Sequence, residues 1–378
     1  MQKIGLYLHI PFCVKKCNYC DFYSLRKPCG NEIGNYISSL CTHIKRDAHL
    51  YNDCEIDTIF IGGGTPSLVD CDDFCRLCDT IKDSFCLPSD LEFTIEANPD
   101  TITRDRLMTW KKCGVNRLSI GMQSACDSEL LALGRVHSLD TFDKGFKLAR
   151  ECGFDNISVD IMYALPDQNP QKLQKTLDYV LNLASEHIST YCLKIENGTP
   201  FSKMDLSLPN EDEQYEMYLS ICEQLSSHGY EQYEISNFAK NGMRSKHNMK
   251  YWLSHEYIGF GPSAHSFFDR KRYFYAPSVE KYTHSLENGE LPEKLYESDD
   301  ILSNDEKMDE YVMLRLRLCD GACADDFEAR FGKSLTDLYD FDKYIKSGHM
   351  RKAGNSYSFT TKGFFVSNFI LSDILKNI

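Results

Sequence analysis

Short apolar runs alternate with amphipathic stretches through the first half of the chain. The runs cover residues 6–10, 58–61, 91–96, 117–121, 157–162 and 188–195. Intervening stretches such as 31–50, 103–113, 141–152 and 171–184 carry apolar side chains three and four positions apart, which is the period of an amphipathic helix. Six strand-then-helix units in succession predict an α/β fold, a partial (β/α)6 barrel like an incomplete TIM barrel. Ligands of such a fold bind at the C-terminal ends of the strands.

The pattern changes after about residue 197. A Tyr- and Glu-rich stretch at 211–228 predicts a helix, and a polar, glycine-containing stretch covers 241–265. An acidic connector at 297–306 separates this region from the end of the chain. There, 308–318 predicts a helix, 356–359 a strand and 364–375 a final helix. These elements predict a smaller, mixed α+β C-terminal domain.

Charge and composition exclude several classes of protein. The 378 residues carry a formal charge of −14, which repels nucleic acid and anionic membrane surfaces. No apolar run approaches the roughly 18 residues of a membrane span, and the N-terminus lacks a signal sequence, so we expect a cytoplasmic protein. In that compartment most of the 17 cysteines should be free, buried thiols.

Three cysteines, Cys13, Cys17 and Cys20, follow the first predicted strand within eight residues. Three thiolates can ligate three irons of a [4Fe–4S] cluster and leave the fourth iron open to a chelating small molecule. Structural zinc is the alternative, but it needs a fourth ligand, and the nearby candidate, His9, lies on the strand. The spacing therefore favours a cluster over zinc.

The same spacing recurs at Cys71, Cys75 and Cys78. Residues i, i+4 and i+7 share one face of a helix, and Phe74 and Leu77 continue the apolar stripe. We therefore interpret this second triplet as core residues of an amphipathic helix.

The residues before and after the first triplet resemble those of radical S-adenosylmethionine (SAM) proteins. The resemblance rests on the sequence Tyr-Leu-His-Ile-Pro-Phe at 7–12, the cysteine loop, and Gly-Gly-Gly-Thr-Pro at 62–66. More narrowly, these residues resemble the group that contains the oxygen-independent coproporphyrinogen III oxidases and related heme chaperones. The resemblance implies a barrel domain at 1–200, a family-specific region at 201–300 that completes the site, and a helical, winged-helix-like domain at 301–378.

The resemblance also implies which residues contact SAM. Glycines let the backbone approach a ligand closely, carboxylates and amides suit ribose hydroxyls, and an arginine can hold a carboxylate in two contacts. In the family a reduced cluster cleaves SAM to a deoxyadenosyl radical. The positions that match SAM contacts in this sequence are Tyr7, Tyr19, Gly63, Gly64, Thr65, Glu96, Gln123, Arg135 and Asp160.

A heme ligand is implied by His-Asn-Met-Lys-Tyr-Trp at 247–252, which matches the H-N-x-x-Y-W pattern of the heme-binding branch. His247 can ligate iron, and His265 is a rival ligand.

Two departures from the family pattern weaken the oxidase interpretation. Phe22 stands where those oxidases carry a further cysteine, and the first strand begins near residue 5, without their N-terminal extension.

Three hypotheses follow. The first is a cytoplasmic carrier that binds heme, a [4Fe–4S] cluster and SAM and transfers heme to an acceptor protein. The second is a SAM-dependent coproporphyrinogen III oxidase, and the third a zinc-dependent regulatory module. The expected partners are heme or porphyrin, an electron donor and a heme acceptor. The sequence leaves open whether the chain is an enzyme, whether the acceptor is a membrane protein, and whether the chain forms a homodimer.

Overall fold

The computed structural model describes residues 1–26, 30–292, 294–295 and 303–375. All six predicted strands are present, and each pairs in parallel with the next. They form the partial barrel predicted from the sequence, with helices on its outer face. The strands are β1 (Gln2–Ile10), β2 (Cys54–Gly63), β3 (Glu92–Ala97), β4 (Arg117–Gln123), β5 (Ile157–Tyr163) and β6 (His187–Cys192). The helices are α1 (Glu32–Asp47), α2 (Cys71–Ser84), α3 (Arg104–Cys113), α4 (Asp127–Ala132), α5 (Leu139–Glu151) and α6 (Pro170–Leu183).

The crossover helices begin where the sequence supplies capping side chains. Asp70, Thr103, Ser138 and Asn169 each accept a hydrogen bond from a backbone N–H in the first turn of α2, α3, α5 and α6. Each helix turns its apolar stripe toward the sheet, so the buried strands lie between the helices and the barrel interior.

The second half of the chain adds strands to both edges of this sheet. The added strands are β7 (Glu231–Gln232), β8 (Asn237–Ala239), β9 (Tyr257–Phe260), β10 (His265–Phe268), β11 (Lys271–Tyr275) and β12 (Lys294–Leu295). Among the described residues, twelve strands form one sheet in the order β12-β11-β10-β9-β1-β2-β3-β4-β5-β6-β8-β7. The sequence did not predict β9, which pairs with β1 as a seventh parallel strand. The helices of this region are α7 (Glu211–Ser227), α8 (Lys246–Trp252) and α9 (Val279–Glu287).

The C-terminal region combines short helices with a small antiparallel sheet, in the order β13-β15-β14. The single helix predicted over 364–375 is wrong, because the chain leaves helical geometry at Val366 and two helices meet there. The elements are α10 (Asn304–Arg315), β13 (Ala322–Cys323), α11 (Ala324–Phe331), α12 (Leu335–Leu338), α13 (Asp342–Lys346), β14 (Met350–Ala353), β15 (Ser356–Phe359), α14 (Thr361–Phe365) and α15 (Ser367–Ile374).

The predicted acidic connector lies mostly outside the described residues, and the three domain limits stay a prediction. One hydrophobic core runs from the barrel into the C-terminal region, because buried residues of β1 and α1 belong to the same packed cluster as those of β15 and α15. In the described ranges, no helix combines the length and apolar character needed to cross a membrane.

Candidate functional site

The loop after β1 carries the first cysteine triplet and is fixed by hydrogen bonds to other elements. Asn18 donates from its backbone N to Leu133 O and from Nδ2 to Ala132 O, each at 2.9 Å, at the end of α4. The backbone N of Phe201 donates to Asn18 O at 2.9 Å. The loop is therefore held over the C-terminal ends of the strands, where the fold class predicts ligands.

Two side chains from other loops donate to sulfurs of this triplet. Thr65 Oγ1 donates to Cys13 Sγ at 3.5 Å, and Arg135 Nη1 donates to Cys17 Sγ at 3.6 Å. Burial raises the pKa of Cys20 to about 11. Donors of this kind stabilise thiolate ligands and tune a metal centre. The three thiols and their donors fit the ligand set of a cluster. Over the described residues, no three Cys, His, Asp or Glu side chains stand where they could hold a single metal ion.

His9, the candidate fourth ligand of a zinc site, already uses both ring nitrogens. Its Nε2 lies 2.8 Å from Tyr23 O, which can only accept, so Nε2 carries the proton. Its Nδ1 then accepts from Tyr7 Oη at 3.0 Å. Burial lowers the pKa of His9 to about 4, so the ring is neutral. Zinc coordination would break one of these hydrogen bonds, and the zinc hypothesis loses its fourth ligand.

The glycine loop packs directly against the strand that precedes the cysteines. Gly63 has φ +113°, and a Cβ there would lie 2.7 Å from the His9 ring. A Cβ on Gly64 would lie 2.7 Å from Phe12 O. The sequence explained these glycines by close approach of a ligand, whereas the structure adds a packing reason for both.

Two carboxyl groups, those of Glu96 and Asp160, line the barrel interior beside the glycine loop. Glu96 Oε2 accepts from the backbone N of Gly63 at 3.1 Å. Desolvation, followed by the nearby charge of Asp160, raises the pKa of Glu96 to about 8. Asp160 accepts from Ser119 Oγ at 3.1 and 3.2 Å, and desolvation raises its pKa too. A carboxyl group accepts hydrogen bonds from ligand hydroxyls, and its protonated form can also donate one.

Arg135 joins the carboxyl side of the site to the cysteine loop. Its Nη2 donates to Asn98 Oδ1 at 2.9 Å and to Gly121 O at 3.0 Å, while its Nη1 reaches Cys17. Gln123, at the end of β4, has φ +66° beside a register shift in the strand pairing. Such strain in a non-glycine residue is typical of functional sites.

The two predicted tyrosines border the same region. Tyr7 packs against Phe60 with ring centroids 6.3 Å apart, and Tyr19 packs on a small apolar cluster that includes Leu133 and Phe201. Contacts and close charges thus connect the predicted SAM residues with the cysteine loop. Their roles toward SAM stay predictions.

Asn98, which bridges two predicted site residues, was not predicted from the sequence. Its Nδ2 donates to Thr65 Oγ1 at 3.1 Å, and its Oδ1 accepts from Arg135. The available signal was its position, directly after β3 and before Pro99. An amide at the C-terminal end of a parallel strand faces the site.

His247 lies on helix α8 rather than in a loop, and it is fully buried. Its Nδ1 is 2.9 Å from Thr58 Oγ1, and its Nε2 is 2.8 Å from Tyr251 Oη. The ring stacks on Phe60 at 5.3 Å, and burial lowers its pKa to about 3. Heme ligation by His247 stays a prediction, and it requires the ring to give up a hydrogen bond and leave the core.

His265, the rival ligand, is exposed. Its ring stacks on Phe274 with centroids 4.8 Å apart and planes 17° from parallel. The preceding residue, Ala264, belongs to an apolar cluster on which Tyr7 packs. His265 is also close enough to His9 for its charge to influence the pKa of that ring, after the larger effect of burial. The exposed imidazole therefore lies next to the Tyr7 side of the site.

Comparisons with known proteins agree with this geometry. The family model of the radical SAM superfamily matches residues 7–180, and that of the HemN C-terminal domain matches residues 302–366. The heme chaperone HemW of Bacillus subtilis is 37% identical over 340 residues, which are 88% of each chain. The chain belongs to the HemW family. The HemW protein of Escherichia coli is 33% identical over 373 residues, or 98% of each chain.

A solved structure confirms the fold. Coproporphyrinogen III oxidase (HemN) from Escherichia coli superimposes with a TM-score of 0.86 over 100% of this chain and 91% of its own, at 21% identity. The match to the radical SAM superfamily implies a [4Fe–4S] cluster and SAM, and thus supports the cluster over zinc at the cysteine loop. A reduced [4Fe–4S] cluster bound there could supply one electron to a ligand on its open iron.

Proposed function

We propose that this HemW-family chain is a heme chaperone that holds a [4Fe–4S] cluster, SAM and heme on one side of the barrel and transfers heme to an acceptor protein. The observation that carries the proposal is the similarity, over 88% to 98% of the chain, to relatives named heme chaperones. The likeness to HemN is a likeness of fold, and it does not extend an oxidase activity to this chain.

We assign the cluster to Cys13, Cys17 and Cys20 and the open iron to SAM. Arg135 and Thr65 hold two of the sulfurs from outside the loop. The carboxyl groups of Glu96 and Asp160 would receive the ribose hydroxyls, and the backbone at 62–65 would meet the amino-acid end of SAM. The guanidinium of Arg135 keeps its charge, because the nearby Tyr19 and Cys17 groups offset its desolvation and raise its pKa.

For heme, we propose His265 as the axial ligand in the conformation described here. A porphyrin needs an accessible imidazole nitrogen and flat apolar surface beside it. His265 is exposed and its ring stacks on Phe274, whereas ligation by His247 requires a fully buried ring to leave Thr58 and Tyr251 and opens a packed core.

Heme uptake and porphyrinogen turnover distinguish the chaperone from the oxidase. The reconstituted protein is incubated without oxygen with SAM, a reductant and coproporphyrinogen III, and protoporphyrinogen IX is measured. A parallel sample is titrated with heme and followed by its absorption spectrum. Stoichiometric heme uptake without turnover supports the proposal, whereas catalytic formation of protoporphyrinogen IX contradicts it.

Single variants identify the ligand. H265A should lose the spectrum of imidazole-ligated heme, and H247A should retain it if the protein remains folded. H284A is the matched control, because His284 is an exposed imidazole on the surface of α9. Loss in H247A alone, with normal folding of that variant, would assign the iron to His247 and refute the choice of His265.

A further inference from the structure

The second cysteine triplet, on helix α2, lies beside the thiol of Cys113 on helix α3. As predicted, Cys71, Cys75 and Cys78 lie on a helix, α2, and the neighbouring helix α3 ends at Cys113. The Sγ atoms of Cys75 and Cys113 are 3.7 Å apart. Cys78 and Cys113 are buried, with 1% and 5% of their surfaces exposed, whereas Cys75 is half-buried. The prediction of an entirely buried set is therefore wrong for Cys71 and Cys75, which are both half-buried.

The expectation that most cysteines are buried fails for the chain as well. Of the 16 described cysteines, all are free, but only seven are buried, while seven are half-buried and two exposed. The thiol of Cys113 interacts with the thiols of both Cys75 and Cys78. Of these two partners, Cys75 is the half-buried one, so it is the member that a reagent in solution can reach.

The surroundings of Cys113 favour its thiolate. Contacts with the thiols of Cys78 and Cys75, together with the charge of Lys82, lower the pKa of Cys113 although desolvation opposes them. A thiolate is the form that attacks a disulfide. Cys75, in contrast, has a raised pKa, chiefly because of desolvation, and its partial exposure makes it the accessible member of the pair.

We propose that Cys75 and Cys113 form a reversible disulfide that joins α2 to α3 in the presence of a low-molecular-weight disulfide. The half-buried Cys75 first exchanges with oxidised glutathione, which forms a mixed disulfide and releases one glutathione thiol. Cys113 then attacks the Cys75 sulfur, forms the protein disulfide and releases the second glutathione. Two protein thiols are oxidised and one glutathione disulfide is reduced to two thiols, so electrons and protons balance.

A small movement completes the bond. The sulfurs must approach from 3.7 Å to the roughly 2.05 Å of a disulfide. The bond would tie together the helices that follow β2 and β3, and these strands carry Gly63 and Glu96 at their ends. The site is separate from the cluster cysteines and independent of the proposed heme function.

Peptide mapping tests the proposal on the full chain. The folded, reconstituted protein is equilibrated without oxygen at graded ratios of oxidised to reduced glutathione, alkylated and digested with trypsin. Cleavage after Arg76 separates Cys75, in peptide 47–76, from Cys78, in peptide 77–82, and Cys113 lies in peptide 113–117. We expect most of peptide 113–117 to be linked to 47–76 at the most oxidising ratio and released by dithiothreitol.

Variants assign the linkage within the long peptide. It should disappear in C75S and C113S and persist in C71S, the matched control one helical turn away. Three results would each overturn the proposal: recovery of 113–117 as the free thiol or only as its glutathione adduct at every ratio, linkage to 77–82, or persistence of the linkage in C75S. If C75S fails to fold, fragmentation of the linked wild-type peptides by tandem mass spectrometry assigns the bond among Cys54, Cys71 and Cys75, and a bond at Cys54 or Cys71 would also overturn the proposal.

Discussion

Replacement of Gly63 by alanine tests how the glycine loop is built. A Cβ at this residue would lie 2.7 Å from the ring of His9, closer than van der Waals contact allows. The ring cannot move freely, because Tyr7 and Tyr23 hold its two nitrogens at 3.0 and 2.8 Å. The substitution must therefore displace the ring, break both hydrogen bonds, or shift the loop.

The expected loss of stability follows from these contacts. A non-glycine residue at φ +113° costs about 1 to 3 kcal/mol, and two lost hydrogen bonds cost about 1 kcal/mol each. We expect G63A to lower the free energy of unfolding by about 4 kcal/mol in urea titrations of the cluster-free protein. Affinity for SAM, measured on reconstituted protein, should also fall, because the loop backbone moves.

Gly198 supplies the matched control. It has φ +86°, but a Cβ there meets nothing within 4 Å, so G198A carries backbone strain alone. We expect G63A to be about 2 kcal/mol more destabilising than G198A. In an H9A background this excess should vanish, as a double-mutant cycle would reveal. Equal effects of G63A and G198A would refute the role assigned to His9.

Two further predictions concern the cluster and the carboxyl groups. C17A should abolish the iron–sulfur absorption after reconstitution, while C75A should retain it. Loss of this absorption in both variants would mean that the second triplet is needed for folding or for the cluster. Glu96 has a raised pKa of about 8 without ligand, so it is neutral at pH 7 and ionises as the pH rises. If its carboxylate accepts a hydrogen bond from the ribose, SAM affinity should increase between pH 7 and 9, by less than tenfold per pH unit. The E96Q variant should lose this pH dependence. A wild-type profile that is flat over this range would contradict the assignment.

The barrel strands could be predicted because each is a local apolar run buried on both faces. In contrast, β9 is four residues long and contains Gly259, so its local pattern is weak, and its place beside β1 depends on pairing across some 250 residues. The cysteine loop was predictable from spacing and context.

The surroundings of the histidines were not predictable. The ring nitrogens of His247 form hydrogen bonds with two hydroxyl groups. Thr58 supplies one from a distant strand, and Tyr251 supplies the other from the next turn of α8. The helix itself had a local signal in Ser245, which caps it. Whether an imidazole is buried or exposed depends on tertiary packing, so the sequence could not choose between His247 and His265.

The central claim is that Cys13, Cys17 and Cys20 hold one [4Fe–4S] cluster whose fourth iron is open to SAM. Electron paramagnetic resonance of the reconstituted, reduced protein, recorded before and after addition of SAM, tests it most directly. The account predicts the signal of one reduced [4Fe–4S] cluster per chain, with g values that shift when SAM binds. A cluster signal that SAM leaves unchanged, or stoichiometric zinc with no cluster signal, would contradict it.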